Sequence, residues 1–275
     1  MMTDRAFEDL IEVVRETARR EIMPCFRRLA ESDIAVKTGP HDLVTKADLA
    51  AEESLTRELA KVFPDAMMIG EEAIAKNPAH LDAITQSDLT IIIDPIDGTG
   101  NFAHGLAIFG VIVAVVSNGK TVFGLLYDPV MDDWVRAEPD TGAWHSDTTG
   151  AAVRLSTSSA TSLDGARGLV PLNACQMGQR AGMLGRFDRA GQIQDLGCSC
   201  HEYRLLASGQ SDFLVSIGLN PWDHAAGQLV IAEAGGWSTV KGHGAYSALL
   251  RDGRMVAAGR PQLGQAVADI FFAEA

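Results

Sequence analysis

Apolar residues recur at helical spacing near the start of the chain: Phe7, Leu10, Ile11, Val14, Ala18, Ile22 and Phe26 fall on one stripe. The pattern predicts an amphipathic helix over 4–31, kinked at Pro24, whose ring removes a helix hydrogen bond. A second helix is expected over 47–62, with Leu55, Leu59 and Val62 inward, stopping before Pro64-Asp65. The spacing then shifts toward that of strands. "AMMIG" at 66–70 reads as a short buried strand running into Glu71-Glu72, and "LTIIID" at 89–94 as another. In "IFGVIVAVVSNGKTVFGLLYDP", β-branched runs flank Ser117-Asn118-Gly119-Lys120, which predicts a β-hairpin. A loop at 147–150 marks a boundary between an N-terminal α+β half, 1–148, and a C-terminal α/β half, 149–275. Beyond it helices are expected at 198–207, 223–234 and from Leu263, with a strand at 212–217.

Composition narrows the class. A chain of 275 residues, 47% hydrophobic and 21% charged, has the profile of a soluble globular protein with a large core. Its longest apolar stretches, 89–93 and 111–116, are too short to span a bilayer. "MMTDRAFEDLIEVV" lacks the basic head and apolar middle of a signal peptide, so a cytoplasmic location is expected. A formal charge of −13 argues against nucleic acid or an anionic membrane as a main partner. It does not exclude a small anionic substrate, because a bound cation reverses the local field. Four cysteines, Cys25, Cys175, Cys198 and Cys200, fit a reducing compartment better than a disulfide framework. Cys198-Ser199-Cys200-His201 has soft-metal ligand types, but no second cluster completes four ligands, and helix packing is the expected role.

The candidate chemistry concentrates in "IIIDPIDGTGNFAHG" at 91–105. Gly98, Gly100 and Ala103 fit the G-x-G-x-x-A spacing of a dinucleotide loop. That reading needs a helix opening at the glycines and an acid about 20 residues on for the ribose. After Ala103 the pattern is a strand, and no Asp or Glu occurs between Gly98 and Tyr127, so the dinucleotide reading fails. Asp94 and Asp97 suggest a cation instead. They flank a proline turn at a strand end, where two carboxylates and the Ile96 carbonyl can point into one site. Hard oxygen ligands suit Mg²⁺ or Mn²⁺, and the Gly98 and Thr99 amides with the Thr99 hydroxyl would meet a phosphate. A plain Asp-Pro turn fits the same residues. Glu71 closes "IGEE" at another strand end, and Asp223 stands at a helix start, where a carboxylate caps or binds metal.

Three motifs, "IGEE" at 69–72, "DPIDGTGNF" at 94–102 and "WDHAAG" at 222–227, resemble in this order the inositol monophosphatase family of metal-dependent phosphatases. The resemblance runs from 42 to 236. It implies an α+β fold of layered αβαβα type, in a homodimer. It implies that Glu71, Asp94, Asp97, Asp223 and the Ile96 carbonyl hold two or three Mg²⁺ ions, with Mn²⁺ a substitute. Asp48 and Thr99, with Glu71, would position and activate a water, and the substrate would be a small phosphorylated metabolite such as inositol 1-phosphate. Substrate contacts would fall to Asp97, Gly98, Thr99, Gly197, Ser199, Ser216 and Asp223. Two positions depart from the family pattern. Gly100 replaces the second Thr of the usual D-G-T-T-N-F, and Ser216 stands where inositol phosphatases commonly carry a Glu. The second change leaves histidinol phosphate, sugar phosphates and nucleotide phosphates open.

Two other classes are less well served. An aspartyl-nucleophile phosphatase needs D-x-D, and Asp94-Pro95-Ile96-Asp97 is one residue too long. A non-catalytic interaction protein on the same scaffold need not keep every presumed ligand, as this chain does.

Overall fold

A computed structural model of the protein describes residues 4–37, 39, 42–173, 175 and 178–273. Helix α1 (Asp4–Thr17) continues into one π-helical turn (Ala18–Ile22) and ends there. The helix is therefore shorter than the predicted 4–31, and Pro24 lies beyond its end, where its ring blocks further helix. Phe7, Leu10, Ile11, Val14, Ala18 and Ile22 are buried, as the stripe predicts. Next come β1 (Ile34–Val36), β2 (Leu43–Thr45), α2 (Lys46–Val62), β3 (Met67–Gly70), α3 (Glu71–Lys76) and α4 (Ala83–Gln86). The chain goes on through β4 (Leu89–Asp97), α5 (Thr99–Ala103), β5 (Gly110–Ser117), β6 (Lys120–Asp128), β7 (Asp133–Glu138), β8 (Gly142–Asp147) and β9 (Ala152–Arg154). The remainder is β10 (Arg167–Leu169), α6 (Arg180–Arg186), β11 (Gln192–Gln194), α7 (Ser199–Ala207) and β12 (Phe213–Ile217). It closes with α8 (Pro221–Glu233), β13 (Trp237–Val240), β14 (Arg254–Ala258) and α9 (Pro261–Phe271).

One sheet has the order β3-β4-β5-β6-β7-β8-β9, antiparallel except for the parallel β3–β4 pair. A second has the order β11-β10-β12-β14-β13, and β1 and β2 form a separate two-stranded antiparallel sheet. Alternation along the strands sets the layers. Ile91 and Ile93 of β4 and Val111, Val113 and Val115 of β5 pack with Leu10, Val14, Leu55 and Leu59 of α1 and α2. Their neighbours Ile92, Ile112, Ala114 and Val116 pack with Tyr203, Leu206, Ala226 and Val230 of α7 and α8. The second sheet gives Leu214, Met255 and Ala257 to that same core and turns Phe213, Val215 and Val256 to Leu263, Val267 and Phe271 of α9. The result is helix, sheet, helix, sheet, helix. Strands buried on both faces carry near-continuous apolar runs, each side chain contributing about 1.5–3 kcal/mol.

The hairpin forms as expected, with Asn118 and Gly119 both at positive φ, 49° and 76°. The boundary at 147–150 moves. That turn joins β8 to β9 within the first sheet, and the second sheet begins only at Arg167. α7 and α8, moreover, share a core with the first sheet. α8 starts at Pro221 and α9 at Pro261, each about two residues earlier than predicted, because proline suits the first helical turn.

Candidate active site

Residues three apart in a regular strand point to opposite faces. In β4 the register against β5 slips between Asp94 and Asp97: Asp94 faces Ile112 and Asp97 faces Gly110, so three steps on one strand match two on the other. This bulge contains Pro95, which has no N–H to give the ladder. The extra residue restores the parity, and both carboxylates meet on one side. Asp223, in the first turn of α8, joins them, and ligand oxygens of Asp94, Asp97 and Asp223 lie within 4.8 Å of one another. Burial, and then the charges of Glu71 and the other aspartates, push the Asp94 carboxyl far above its usual range. Asp223 rises for the same reasons, burial first, although Asn220 Nδ2 donates to its Oδ2 at 3.1 Å. Asp97 also rises by burial; the Cys200 amide (2.5 Å) and the Cys198 thiol (3.1 Å) donate to its Oδ2. Asp94 Oδ1 is buried without any partner. Three enclosed carboxylates with an orphaned oxygen form a donor set that fits a hard cation.

Asp48 and Thr99 meet as the sequence suggests. Thr45 caps α2, and Asp48 Oδ2 accepts from the Thr45 amide (2.9 Å) and hydroxyl (2.5 Å). Asp48 Oδ1 is left for Thr99, whose Oγ1 lies 3.1 Å away and 2.9 Å from the Ile96 carbonyl. Burial lifts Asp48 to about 7 against those bonds. Glu71 opens α3 but stands outside the 4.8 Å group; its Oε1 holds Lys37 Nζ at 2.6 Å, and Glu72 holds the same ammonium at 2.9 Å. Burial works against the Lys37 charge, yet Glu71 and Glu72 outweigh it and raise that pKa. Gly98 adopts φ +83°, and a Cβ there would lie 2.9 Å from the Ile108 carbonyl. A five-residue helix, α5, opens just after it, unlike the uninterrupted approach to a strand that the sequence suggests.

The expected substrate residues line two neighbouring cavities that share Gly197. One, of about 370 Å³, takes in Glu71, Gly98 and Thr99; the other, of about 240 Å³, takes in Asp97, Ser199, Ser216 and Asp223. Cys198, Cys200 and His201 do not converge. Their side chains go to Asp97, to the Tyr127 carbonyl and to the Phe109 carbonyl, as helix packing requires.

Sequence reasoning missed three supporting residues. Glu52, one turn after Asp48 on α2, accepts from the Glu72 and Ala73 amides and so fixes the start of α3; a Cβ on Gly70 would fall 2.2 Å from its Cδ. Its i, i+4 relation to Asp48 was the available signal. Asn101 Nδ2 lies 2.8 Å from both the Ile108 and Leu196 carbonyls, tying the glycine loop to the α7 approach. Lys37 had no signal, since nothing local links it to Glu71.

Residues 6–271 match the inositol monophosphatase family. The chain belongs to that family. It is 33% identical over 214 residues to the fructose-1,6-bisphosphatase/inositol-1-monophosphatase of Thermotoga maritima, covering 75% of each chain. It is also 34% identical over 207 residues to the Nus factor SuhB of Escherichia coli K12, covering 74% of this chain and 73% of that one. The solved structure of Thermotoga maritima IMPase superposes with a TM-score of 0.81 at 28% identity, over 98% of this chain and 99% of the other. The layered αβαβα fold is thus the family's. Membership supports a phosphatase of a metal-dependent family that acts on small phosphorylated substrates. Among the described residues no helix is long and apolar enough to cross a membrane.

Proposed function

We propose that this protein is a Mg²⁺-dependent phosphomonoesterase that hydrolyses small phosphate monoesters, inositol 1-phosphate among them. The convergence of Asp94, Asp97 and Asp223 around an unpartnered buried oxygen carries the reading. Asp94, Asp97, Asp223, Glu71 and the Ile96 carbonyl would hold two or three Mg²⁺ ions, with Mn²⁺ as a substitute. Bound there, Mg²⁺ supplies a lowered pKa for water and neutralises phosphate charge. Glu71, held at 2.6 Å by Lys37 in this structure, would add its carboxylate to the cation's ligands. Thr99 Oγ1 takes a proton from the attacking water while its own passes to Asp48 Oδ1, the acceptor it faces at 3.1 Å. The Gly98 and Thr99 amides hold phosphate oxygens during in-line displacement, and no side chain becomes phosphorylated.

Gly197, Ser199 and Ser216 line the leaving-group side. Ser216 has a shorter reach than a Glu and no charge, so a polyol ring is accepted without strong preference. Asp195 and Glu202 line the same cavity, which favours hydroxyl- or ammonium-bearing leaving groups, histidinol phosphate included, over anionic ones. A net charge of −13 supports a reading without nucleic acid, and family likeness supports a homodimer in the cytoplasm. A binding role of the kind suggested by a relative's name, Nus factor, is the alternative, and the retained carboxylates speak for catalysis. The test is a hydrolysis screen over inositol, histidinol, sugar and nucleotide monophosphates with Mg²⁺ present and chelated. Phosphate release from several esters, lost on chelation, is expected; no release from any ester with Mg²⁺ present overturns the reading.

A further inference from the structure

His224, next to Asp223 in α8, is 5% exposed and lines the same cavity as Ser216 and Ile217. Its Nδ1 lies 2.9 Å from Tyr203 Oη, and Gln228 Nε2 donates to that same oxygen at 3.0 Å. A phenol has one proton. Were Nδ1 to carry a hydrogen, it and Gln228 would both donate to the phenol oxygen and strand the phenol's own hydrogen; the arrangement that uses every hydrogen has Tyr203 Oη donating to a bare His224 Nδ1. The remaining N–H of the ring is on Nε2, and the Gly218 backbone lies against the imidazole. The arrangement is built rather than incidental: Tyr203 is fully buried, and a Cβ on Gly227 would fall 2.2 Å from its ring. Tyr246 closes the other side of the imidazole with its ring centroid 6.4 Å away.

We propose that the buried chain Gln228–Tyr203–His224 is a positioning device that holds the His224 ring with Nδ1 accepting from Tyr203 and the ring hydrogen on Nε2, and so fixes the Ser216–Gly218 wall, which selects the leaving group. Gly218 sits at φ +94° between the end of β12 and the start of α8, just past the pairing of Ser216 and Ile217 with β14, and its amide donates to the Gly253 carbonyl at 2.9 Å. The hydrogen bond made by one ring nitrogen sets which nitrogen carries the hydrogen and how the ring is turned, and so what the other nitrogen offers its neighbours. The selectivity half of this inference rests on the phosphomonoesterase reading, whereas the tautomer does not.

The test uses the full chain. In ¹⁵N NMR of the metal-free protein, His224 should show an unprotonated Nδ1 and a protonated Nε2; the opposite tautomer overturns the proposal. Tyr203→Phe keeps the ring and removes only the donor, so its His224 should lose that single tautomer. Its kcat/KM for inositol 1-phosphate relative to p-nitrophenyl phosphate should change by about fivefold, while half-saturation by Mg²⁺ stays within about twofold. His224→Phe, which keeps a ring between the two tyrosines, should change the ratio in the same direction. An unchanged ratio in both folded variants, or an equal fall for every ester and for Mg²⁺ binding, marks a merely structural role and overturns the proposal. A wild-type protein inactive on every ester removes the phosphomonoesterase reading and the selectivity role with it, and the NMR result then judges the tautomer lock alone.

Discussion

Asp94 Oδ1 is the least comfortable atom in the site, a buried carboxylate oxygen without a donor, a state that costs about 1–3 kcal/mol or more. Such an atom persists where a ligand satisfies it. Asp94→Asn, Asp97→Asn and Asp223→Asn should each lower turnover by about a hundredfold or more, since each removes a charged ligand oxygen. Near-normal turnover in two of the three would sink the assignment. Asp223→Asn should leave α8 intact, because the helix starts at Pro221 and Asp223 sits two residues inside it. Thr99 carries a separate expectation. Its hydroxyl faces Asp48 and the Ile96 carbonyl, so Thr99→Ala should lower kcat more than it raises KM, and Thr99→Ser should retain much of the activity. Equal kcat for Ala and wild type would make Thr99 a turn residue only. Asp94 and Asp97 were legible in the sequence because they follow an apolar run at a strand end, where a charge has no reason to be unless it is used, whereas Glu71, Asp223 and Asp48 took their roles from the family motifs. Lys37 was not legible, because it meets Glu71 and Glu72 across 34 and 35 residues, and the spacing of Glu52 from Asp48 and the place of Asn101 in its motif do not reveal the Glu72 amide or the Leu196 carbonyl they bind.

α8 brings Asp223 to the bulge of β4, and its seat on β6 is tight. A Cβ on Gly124 would lie 2.7 Å from the Ala226 carbonyl, which is backbone and cannot swing aside. Gly124→Ala should therefore lift α8 off the sheet, costing about 1–3 kcal/mol as overpacking does. Urea midpoints with and without Mg²⁺ check this. A destabilised protein with weaker Mg²⁺ stabilisation is expected, and an unchanged midpoint would mean the layers slide freely. Elements with one dominant signal were legible: the amphipathic stripe of α1, the β-branched hairpin with Asn118-Gly119, and α2 with its inward leucines and its stop before Pro64. The bulge was not, since Pro95 reads as a turn until β5 is seen to pair on both sides of it. Short strands such as β9, β10 and β11 escaped because three residues give no period. β9 is exposed throughout, so even its composition was polar. α5 escaped for a similar reason, as one turn held against the glycine loop by Asn101.

At the scale of the molecule, the carboxylates that bring the layers' loops together also oppose the metal-free fold. Asp94, Asp97 and Asp223 are all raised by burial and mutual repulsion, Asp48 is raised to about 7 and Glu202, by burial, to about 8. Unfolded carboxyls titrate near about 4. A folded pKa above the unfolded one means the native state binds the extra protons. The associated stability is full below about pH 4 and is lost as pH climbs through the raised values, here up to about pH 8. Exposed acids paired with bases, such as Asp33 with Lys46, shift the other way, but solvent screens them. The protein with EDTA should therefore melt at progressively lower temperature from about pH 5 to about pH 8. Mg²⁺ binds the deprotonated cluster, so its stabilisation should be close to nil at about pH 5 and grow as protons leave. At a hundred times its Kd a ligand adds about 2.7 kcal/mol, which for a chain of this size is roughly 5 °C. Asp94→Asn removes one repelling charge and one ligand together, so in EDTA at about pH 8 it should melt higher than wild type and gain less from Mg²⁺. Melting curves across this range, with Mg²⁺ and with EDTA, decide the matter. A metal-free protein that grows more stable with rising pH, or a Mg²⁺ shift of equal size at every pH, would mean that these carboxylates do not form the cation site.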